Sequence, residues 1–195
     1  MNKTFGIAGN MGTGKSTLAK AFAELIQLQV VELDDLRRYA LWDSSEVHHK
    51  ELRQKLAYVF DLALFDGWLD RKEFTKTLFS SSQNLNLYSK IATPLLIQDT
   101  QNLIDTSNQH CAIVWAWLLE EGYSSLLDSF VILTHCSEER LTKELDNDSL
   151  IQRRSLEPTF ESRLAYSKTI PIIEFDNSGT LNRALILKIV EKINE

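Results

Sequence analysis

The sequence is short of cysteine, of basic residues and of long apolar runs, and each shortage excludes a class of protein. Its two cysteines, Cys111 and Cys136, lie in strand-like apolar stretches. We therefore expect buried thiols of a reduced compartment, with neither a disulfide framework nor a cysteine-based metal site. With 21 Lys and Arg against 27 Asp and Glu, the net charge of −6 argues against a nucleic-acid partner. No apolar run approaches the about 20 residues of a membrane helix.

The remaining composition is that of an ordinary globular protein. The chain has 195 residues, of which 44% are hydrophobic and 25% charged, as expected for one domain. Its N-terminal residues run directly into a short apolar segment, so we expect no signal peptide. These properties predict a cytoplasmic protein, most simply a monomer, that acts on small molecules and not on a membrane.

Five apolar, strand-like segments alternate with helical patterns along the chain. The segments span residues 4–8, 29–33, 112–119, 130–134 and 170–175. This alternation predicts an α/β fold with a five-stranded parallel sheet flanked by helices. The stretch between the second and third strands is too long for a single crossover. We therefore expect residues 46–106 to form a helical substrate-binding subdomain on a core of residues 1–45 and 107–195.

Residues 9–16, with the sequence GNMGTGKS, match the phosphate-loop pattern G-x-x-x-x-G-K-[ST]. A strand-like segment precedes them and a helical pattern follows, which is the context that this motif needs. Glycines let the backbone approach an anion, Lys15 places a positive charge on the β- and γ-phosphates, and the Ser16 hydroxyl is a ligand for Mg²⁺. The sequence therefore predicts that a nucleoside triphosphate and Mg²⁺ bind at Gly12, Thr13, Gly14, Lys15, Ser16 and Thr17.

Acidic residues follow two of the predicted strands, at the edge where open α/β sheets bind ligands. Asp34 and Asp35 come directly after the second strand, and Glu120 and Glu121 after the third. Asp34 or Asp35 could face the transferring phosphate. Alternatively, one of them caps a helix predicted to begin at Leu36, and both roles can hold, one for each residue.

Two features stand out in the predicted helical subdomain. His48 and His49 are adjacent, so on a helix at residues 46–65 they point in different directions. We expect them to form a solvated helix start rather than a metal pair. Pro94 lies inside the helical pattern of residues 85–106, where a proline removes a hydrogen bond, so we expect two helices that part near Thr93.

A polar segment at residues 146–158 contains Arg153 and Arg154. In a phosphoryl-transfer enzyme, such a segment can be a mobile lid that brings positive charge onto the phosphates. An ordinary solvated loop is the alternative, and the sequence barely favours the lid.

Taken together, these motifs resemble the dephospho-CoA kinase family, in the family's order and along most of the chain. After the phosphate loop, Glu32 and Asp34 match its two alternate carboxylates. Residues 67–71 (GWLDR) resemble its Gly-x-Leu-Asp-Arg stretch, and residues 118–121 (LLEE) stand where the family has Pro-Leu-Leu-x-Glu. Residues 163–165 (RLA) and 176–179 (DNSG) resemble its closing pattern.

The resemblance implies an enzyme that transfers the γ-phosphoryl group of ATP to the ribose 3′-hydroxyl of dephospho-CoA, the last step of coenzyme A synthesis. It implies that Lys15 and Ser16 hold ATP and Mg²⁺, that Asp34 accepts or orients the proton of the attacking hydroxyl, and that Arg71 contacts the acceptor. Glu121 is a further candidate for acceptor binding. The candidates for lid charge are Arg140, Lys143, Arg153 and Arg154.

Three departures from the family pattern keep other interpretations open. Thr93 stands where the family has histidine, Trp117 stands where it has proline, and the lid arginine has no clear equivalent. One alternative is a nucleoside or nucleotide kinase, which acceptor choice would distinguish. The other is a nucleotide-binding module without turnover, which would bind nucleotide but transfer phosphate to no acceptor.

Overall fold

The computed structural model of the chain describes residues 2–144 and 155–195. Its strands are β1 Thr4–Gly9, β2 Leu28–Glu32, β3 Leu64–Phe65, β4 Trp68–Leu69, β5 His110–Val114, β6 Val131–His135 and β7 Ile172–Asp176. Its helices are α1 Lys15–Ala23, α2 Leu33–Arg38, α3 Val47–Phe60, α4 Arg71–Leu78, α5 Ser82–Asp105, α6 Glu138–Glu144, α7 Phe160–Leu164 and α8 Arg183–Asn194. Short π- and 3₁₀-helical turns occupy Tyr39–Asp43, Tyr123–Leu126 and Ala165–Lys168. The elements form two compact units, the first made of Met1–Glu32 with Leu103–Glu195 and the second of Leu33–Asn102.

The first unit contains a five-stranded sheet in the order β2-β5-β1-β6-β7. Every neighbouring pair is parallel, which confirms the predicted five-stranded parallel sheet. All six residues of β1 are buried, as expected for a central strand that helices cover on both faces. Because the strands are parallel, their carboxyl ends lie at one edge of the sheet, where Gly9 pairs with Thr134 and His135 pairs with Asp176.

Aromatic and branched side chains fill the core of the first unit. The Phe5 ring stacks on Phe130 with centroids 5.5 Å apart and meets the edge of Phe22 at 6.0 Å. The closing helix α8 adds Ile186 and Ile189, both buried against this cluster. Burial of each large side chain contributes roughly 1.5–3 kcal/mol, so this layer anchors α1 and α8 to the sheet.

Strand β5 ends earlier than predicted. The apolar run over residues 112–119 suggested one long strand, but pairing stops at Val114 and residues 116–122 form turns. Leu118 explains the error, because it is buried above the sheet: an ideal Cβ on Gly6 would lie only 3.0 Å from its Cδ1. Leu118 is buried in a turn that folds back over the sheet, and Glu120 and Glu121 lie within this turn and not at the end of a strand.

The second unit consists of α2 to α5 and the β3–β4 hairpin. Its centre is the guanidinium of Arg53, which is almost fully buried. Nε donates to the Gly67 carbonyl at 3.0 Å and Nη1 to the Ala40 carbonyl at 2.6 Å, while the Trp68 ring centroid lies 4.0 Å from Cζ. Burial lowers the pKa of Arg53. These contacts fasten the hairpin to α3.

The predicted break at Pro94 is wrong, because α5 runs without interruption from Ser82 to Asp105. A proline inside a helix costs about 3 kcal/mol. Leu85, Tyr88 and Leu96 are buried along one face of this helix, and each such side chain contributes roughly 1.5–3 kcal/mol. Their combined burial outweighs the loss at Pro94, which is itself exposed.

Helix α2 begins at Leu33, three residues before the predicted start. The carboxylates of Asp34 and Asp35 therefore lie in its first turn, where the helix dipole favours negative charge. Neither residue precedes the helix as the predicted cap. Both side chains are exposed.

We expect Pro94→Ala to raise the free energy of unfolding by about 2 kcal/mol, because alanine restores an N–H to α5 without losing buried surface. Urea denaturation of both proteins measures the change. Gln98→Ala, an exposed position on the same helix, is the matched control and should shift stability by less than about 0.5 kcal/mol. An unchanged urea midpoint for Pro94→Ala would mean that Pro94 does not destabilise α5.

Candidate active site

The phosphate loop joins β1 to α1, and the backbone requires glycine at two of its positions. Gly9 has a φ of 141°, and an ideal Cβ there would lie 2.3 Å from Thr134 Oγ1 and 2.4 Å from the Thr134 carbonyl oxygen. Gly14 has a φ of 85°, and its Cβ would lie 2.1 Å from Asn177 Nδ2. At both positions, neighbouring segments approach too closely for any side chain.

Hydrogen bonds hold the loop in shape from within and from β6. Thr13 Oγ1 donates to the Asn10 carbonyl at 2.7 Å and lies 2.7 Å from Thr134 Oγ1. Lys15 Nζ donates to the same Asn10 carbonyl at 2.9 Å, so the lysine side chain folds back over the loop. The lysine ammonium thus lies against the backbone of the loop.

The start of α1 fits a phosphate and a hard cation. Gly14 is the N-cap of this helix and contributes no side-chain cap, so the first backbone N–H groups face outward for an anion. Ser16, in the first turn, is exposed and offers a hydroxyl oxygen, the type of ligand that Mg²⁺ prefers. The residues present therefore fit both groups that the sequence predicts here.

A buried arginine, Arg163, joins the loop to the turn after β5. Its Nε donates to Glu120 Oε1 at 2.8 Å, Nη2 donates to the Ala116 carbonyl at 2.6 Å, and Nη1 donates to the side-chain oxygen of Asn10. Glu120 Oε2 is buried without a hydrogen-bond partner in the described chain. The RLA pattern indicates the position of this arginine but not its role, because the partners lie far away in the chain.

The turn after β7 closes the other side of the loop. Asn177 is buried and donates from Nδ2 to the Thr13 carbonyl at 3.0 Å. The Ser178 side chain and backbone N–H both donate to Asp176, and these bonds lower the pKa of that carboxyl. The only sequence signal for this contact is the resemblance of residues 176–179 to the closing pattern.

Two charged groups of opposite sign approach the loop. Arg140, on α6, donates to the carbonyls of Asn177 and Gly179, and its Nη2 lies 3.9 Å from the ideal Cβ position of Gly14. Glu157 accepts from the Met11 N–H with both carboxylate oxygens at 3.0 Å. No sequence pattern singles out Glu157 for this contact.

A cavity of about 180 Å³ lies beside the loop, lined in part by Thr134, His135 and Phe160.

The remaining predicted site residues are placed as follows. Lys143 lies in α6, whereas Arg153, Arg154 and most of the predicted lid fall outside the described residues. In the first unit, Glu121 Oε2 accepts from Trp115 Nε1 at 2.8 Å. In the second unit, Arg71 begins α4, with its Cζ 5.2 Å from the Trp42 ring centroid.

Two further contacts in the second unit concern positions that the sequence singled out. Asp35 forms an exposed ion pair with Arg38 at 3.1 Å, close to Asp34 in the same helical turn. Thr93, where the family has histidine, is buried, and its Oγ1 lies 3.1 Å from Ser89 Oγ. The departure at Thr93 is thus accommodated by a local hydroxyl pair.

The family model of dephospho-CoA kinase matches residues 3–170. The chain belongs to the dephospho-CoA kinase family. It is therefore a kinase. Among the described residues, no helix combines the length and the apolar character needed to cross a lipid bilayer.

Individual relatives in this family are distant in sequence. The dephospho-CoA kinase of Escherichia coli (strain K12) is 23% identical over 180 residues, which cover 89% of this chain and 83% of the relative. The crystal structure of TT1252 from Thermus thermophilus has a TM-score of 0.71 and 22% identity over 97% of both chains. The dephospho-CoA kinase from Campylobacter jejuni has a TM-score of 0.63 and 18% identity, covering 99% of this chain and 98% of that one. At these identities the two structures establish the shared fold.

We expect Arg163→Ala to lower the free energy of unfolding by about 3–5 kcal/mol, because it leaves the Glu120 carboxylate partly buried without its partner. Urea denaturation measures the loss. Arg183→Ala, at an exposed arginine, is the control and should change stability by less than about 0.5 kcal/mol. The double variant Arg163→Met with Glu120→Met should recover part of the loss. A loss below about 1 kcal/mol would contradict the assignment of Arg163 as the buried link.

Proposed function

We propose that this family member transfers the γ-phosphoryl group of ATP to the ribose 3′-hydroxyl of dephospho-CoA, giving coenzyme A. The observation that carries the proposal is a phosphate loop with an uncapped helix start in a chain that belongs to the dephospho-CoA kinase family. The proposal includes a monomeric, cytoplasmic enzyme without nucleic-acid or membrane partners, for which the net charge of −6 and the composition are the support.

The loop holds the triphosphate of ATP. Backbone N–H groups at the start of α1 bind its oxygens, and Lys15 leaves the Asn10 carbonyl to contact the β- and γ-phosphates. Ser16 is the protein ligand for Mg²⁺, which, when bound, neutralises charge on the phosphates during transfer. Thr13 and Asn177 keep the loop preorganised, so little reorganisation accompanies the reaction.

Asp34 is the group that accepts or orients the proton of the attacking hydroxyl. It lies in the first turn of α2, two residues after β2 ends, and its carboxylate is exposed to an incoming acceptor. Asp35 is the weaker candidate because it pairs with Arg38 at 3.1 Å. A positioned base of this kind contributes about 10²–10⁴-fold to a rate.

The remaining proposed site residues are two arginines and a glutamate. Arg71 and Glu121 bind the acceptor, and Arg140 supplies positive charge at the phosphates. Among the four lid candidates, Arg140 has the best structural support, because its guanidinium lies beside Gly14 of the loop. Lys143, Arg153 and Arg154 remain candidates on sequence alone.

The test of the function is an acceptor panel in which purified protein receives ATP and Mg²⁺ with dephospho-CoA or with individual nucleosides and nucleotides. We expect phosphorylation of dephospho-CoA at the 3′-position, identified by mass, and no turnover in Lys15→Ala. A preference for a nucleoside or nucleotide would replace the proposal with the second kinase interpretation. ATP binding without phosphoryl transfer to any acceptor would support the alternative of a nucleotide-binding module without turnover.

Replacing Asp34 and Asp35 one at a time distinguishes the carboxylate that acts as the base from the one that does not. We expect Asp34→Asn to lower kcat for dephospho-CoA phosphorylation by at least about 10²-fold, because the amide cannot accept the proton. Asp35→Asn, in the same helical turn, should change kcat less than about threefold, since it loses only an exposed ion pair. Steady-state kinetics at saturating ATP measure both, and equal effects would withdraw the assignment of Asp34.

A further inference from the structure

Two histidines and two carboxylates meet at the start of α3, in the second unit. One ligand atom from each of Glu46, His48 and His49 lies within 4.8 Å of the others. Asp99, on α5, faces both histidines: Oδ1 lies 3.4 Å from His48 Nε2, and Oδ2 lies 2.9 Å from His49 Nε2. The predicted solvated helix start is therefore wrong for His49, which is buried, whereas His48 is half-buried.

The distances from His48 Nε2 to one oxygen of each carboxylate are those between neighbouring ligands of one ion. In a tetrahedral site with zinc–ligand bonds of about 2.0–2.2 Å, adjacent ligand atoms lie about 3.4 Å apart. His48 Nε2 lies 3.2 Å from Glu46 Oε2 and 3.4 Å from Asp99 Oδ1. One oxygen of each carboxylate thus lies at ligand spacing from His48 Nε2.

One ring nitrogen of His48 makes no hydrogen bond to the described residues. Its Nε2 is buried, yet it has no hydrogen-bond partner among residues 2–144 and 155–195. The two carboxylate oxygens lie near this nitrogen without making a hydrogen bond to it. Buried polar nitrogens are normally satisfied, so a bound group between the oxygens accounts for this arrangement.

The ring of His49 is held in one orientation by partners on both of its nitrogens, Ser44 and Asp99. Its Nδ1 lies 2.6 Å from Oγ of the fully buried Ser44, and the same oxygen accepts from the Glu46 N–H at 3.2 Å. In the tautomer in which Nδ1–H donates to Ser44, Nε2 presents its lone pair beside Asp99. Metal-binding histidines usually have such an outer partner on the second ring nitrogen, which fixes both tautomer and ring orientation.

We propose that Glu46, His48, His49 and Asp99 bind a divalent transition-metal ion, with Zn²⁺ as the favoured occupant. Two imidazole nitrogens and two carboxylate oxygens form a donor set typical of zinc, and the two carboxylates balance its charge. Mg²⁺ prefers oxygen ligands and an octahedral arrangement, so it is a poor occupant. With four protein ligands and no open position, the ion is structural: it ties the start of α3 to α5.

Zn²⁺ titration of the nucleotide-free protein, by calorimetry and by thermal melting, tests the proposal. We expect one Zn²⁺ per chain and, at 100 times Kd, a rise in Tm of about 5–10 °C, because the ion binds the folded chain. Millimolar Mg²⁺ should neither reproduce the rise nor displace Zn²⁺. Co²⁺ should give a visible spectrum without a thiolate charge-transfer band, which separates this site from binding at Cys111 or Cys136.

His48→Ala and Asp99→Asn are the informative variants, because His48 is half-buried and asparagine preserves the shape of Asp99. Each should weaken Zn²⁺ binding by at least about 100-fold, since outer partners of ligands alone cost 10–100-fold. His110→Ala removes a histidine of the first unit and should bind Zn²⁺ as the unaltered protein does. Circular dichroism without metal checks that each variant folds.

Two results would overturn the proposal. One is the absence of Zn²⁺ binding at micromolar concentrations by folded, unaltered protein. The other is equal Zn²⁺ affinity in His48→Ala and in the unaltered protein, which would place the ion elsewhere. In either case, Asp99 would serve only as the hydrogen-bond partner of His49, and Asp99→Asn would then lower Tm equally with and without Zn²⁺.

Discussion

The buried guanidinium of Arg163 is the interaction on which the phosphate-loop end of the first unit depends. It connects Asn10 of the loop with the carbonyl of Ala116 and the carboxylate of Glu120, and each of these residues lies at least 43 positions from Arg163 in sequence. A charge this deeply buried is stable only while all its partners stay in place. The loop therefore keeps its shape as part of a network that includes the turn after β5, and it does not rely on its glycines alone.

Patterns that are local in sequence predict most of the fold and the nucleotide end of the site. The phosphate loop is contiguous from Gly9 to Ser16, and its chemistry is contained in those residues, so a single sequence identifies it. The five parallel strands are recognisable as short apolar segments between helical patterns. Helix α4 also has a local cause, because its cap, Asp70, accepts from the Glu73 N–H. In each case, the interactions that define the element lie within a few residues of one another.

The errors arise where a distant partner decides the outcome. Leu118 and Leu119 look like strand residues, but they are buried in a turn that folds over β1, and periodicity cannot distinguish the two. Pro94 lies in a helix whose buried face outweighs the missing hydrogen bond. His49 looks solvated until Ser44 and Asp99 are known to lie beside it. The partners of Arg163 cannot be identified from the sequence for the same reason.

The two glycines of the phosphate loop at which a side chain would clash are constrained by different kinds of atom. A side chain at Gly9 would collide with the backbone oxygen of Thr134, which every amino acid carries, so no second substitution at position 134 can relieve the clash. A side chain at Gly14 would collide with the side chain of Asn177, which a smaller residue at position 177 would remove, leaving a left-handed backbone that costs about 1–2 kcal/mol. Gly9 therefore gains nothing from a compensating change at position 134, whereas the clash at Gly14 depends on which residue occupies position 177.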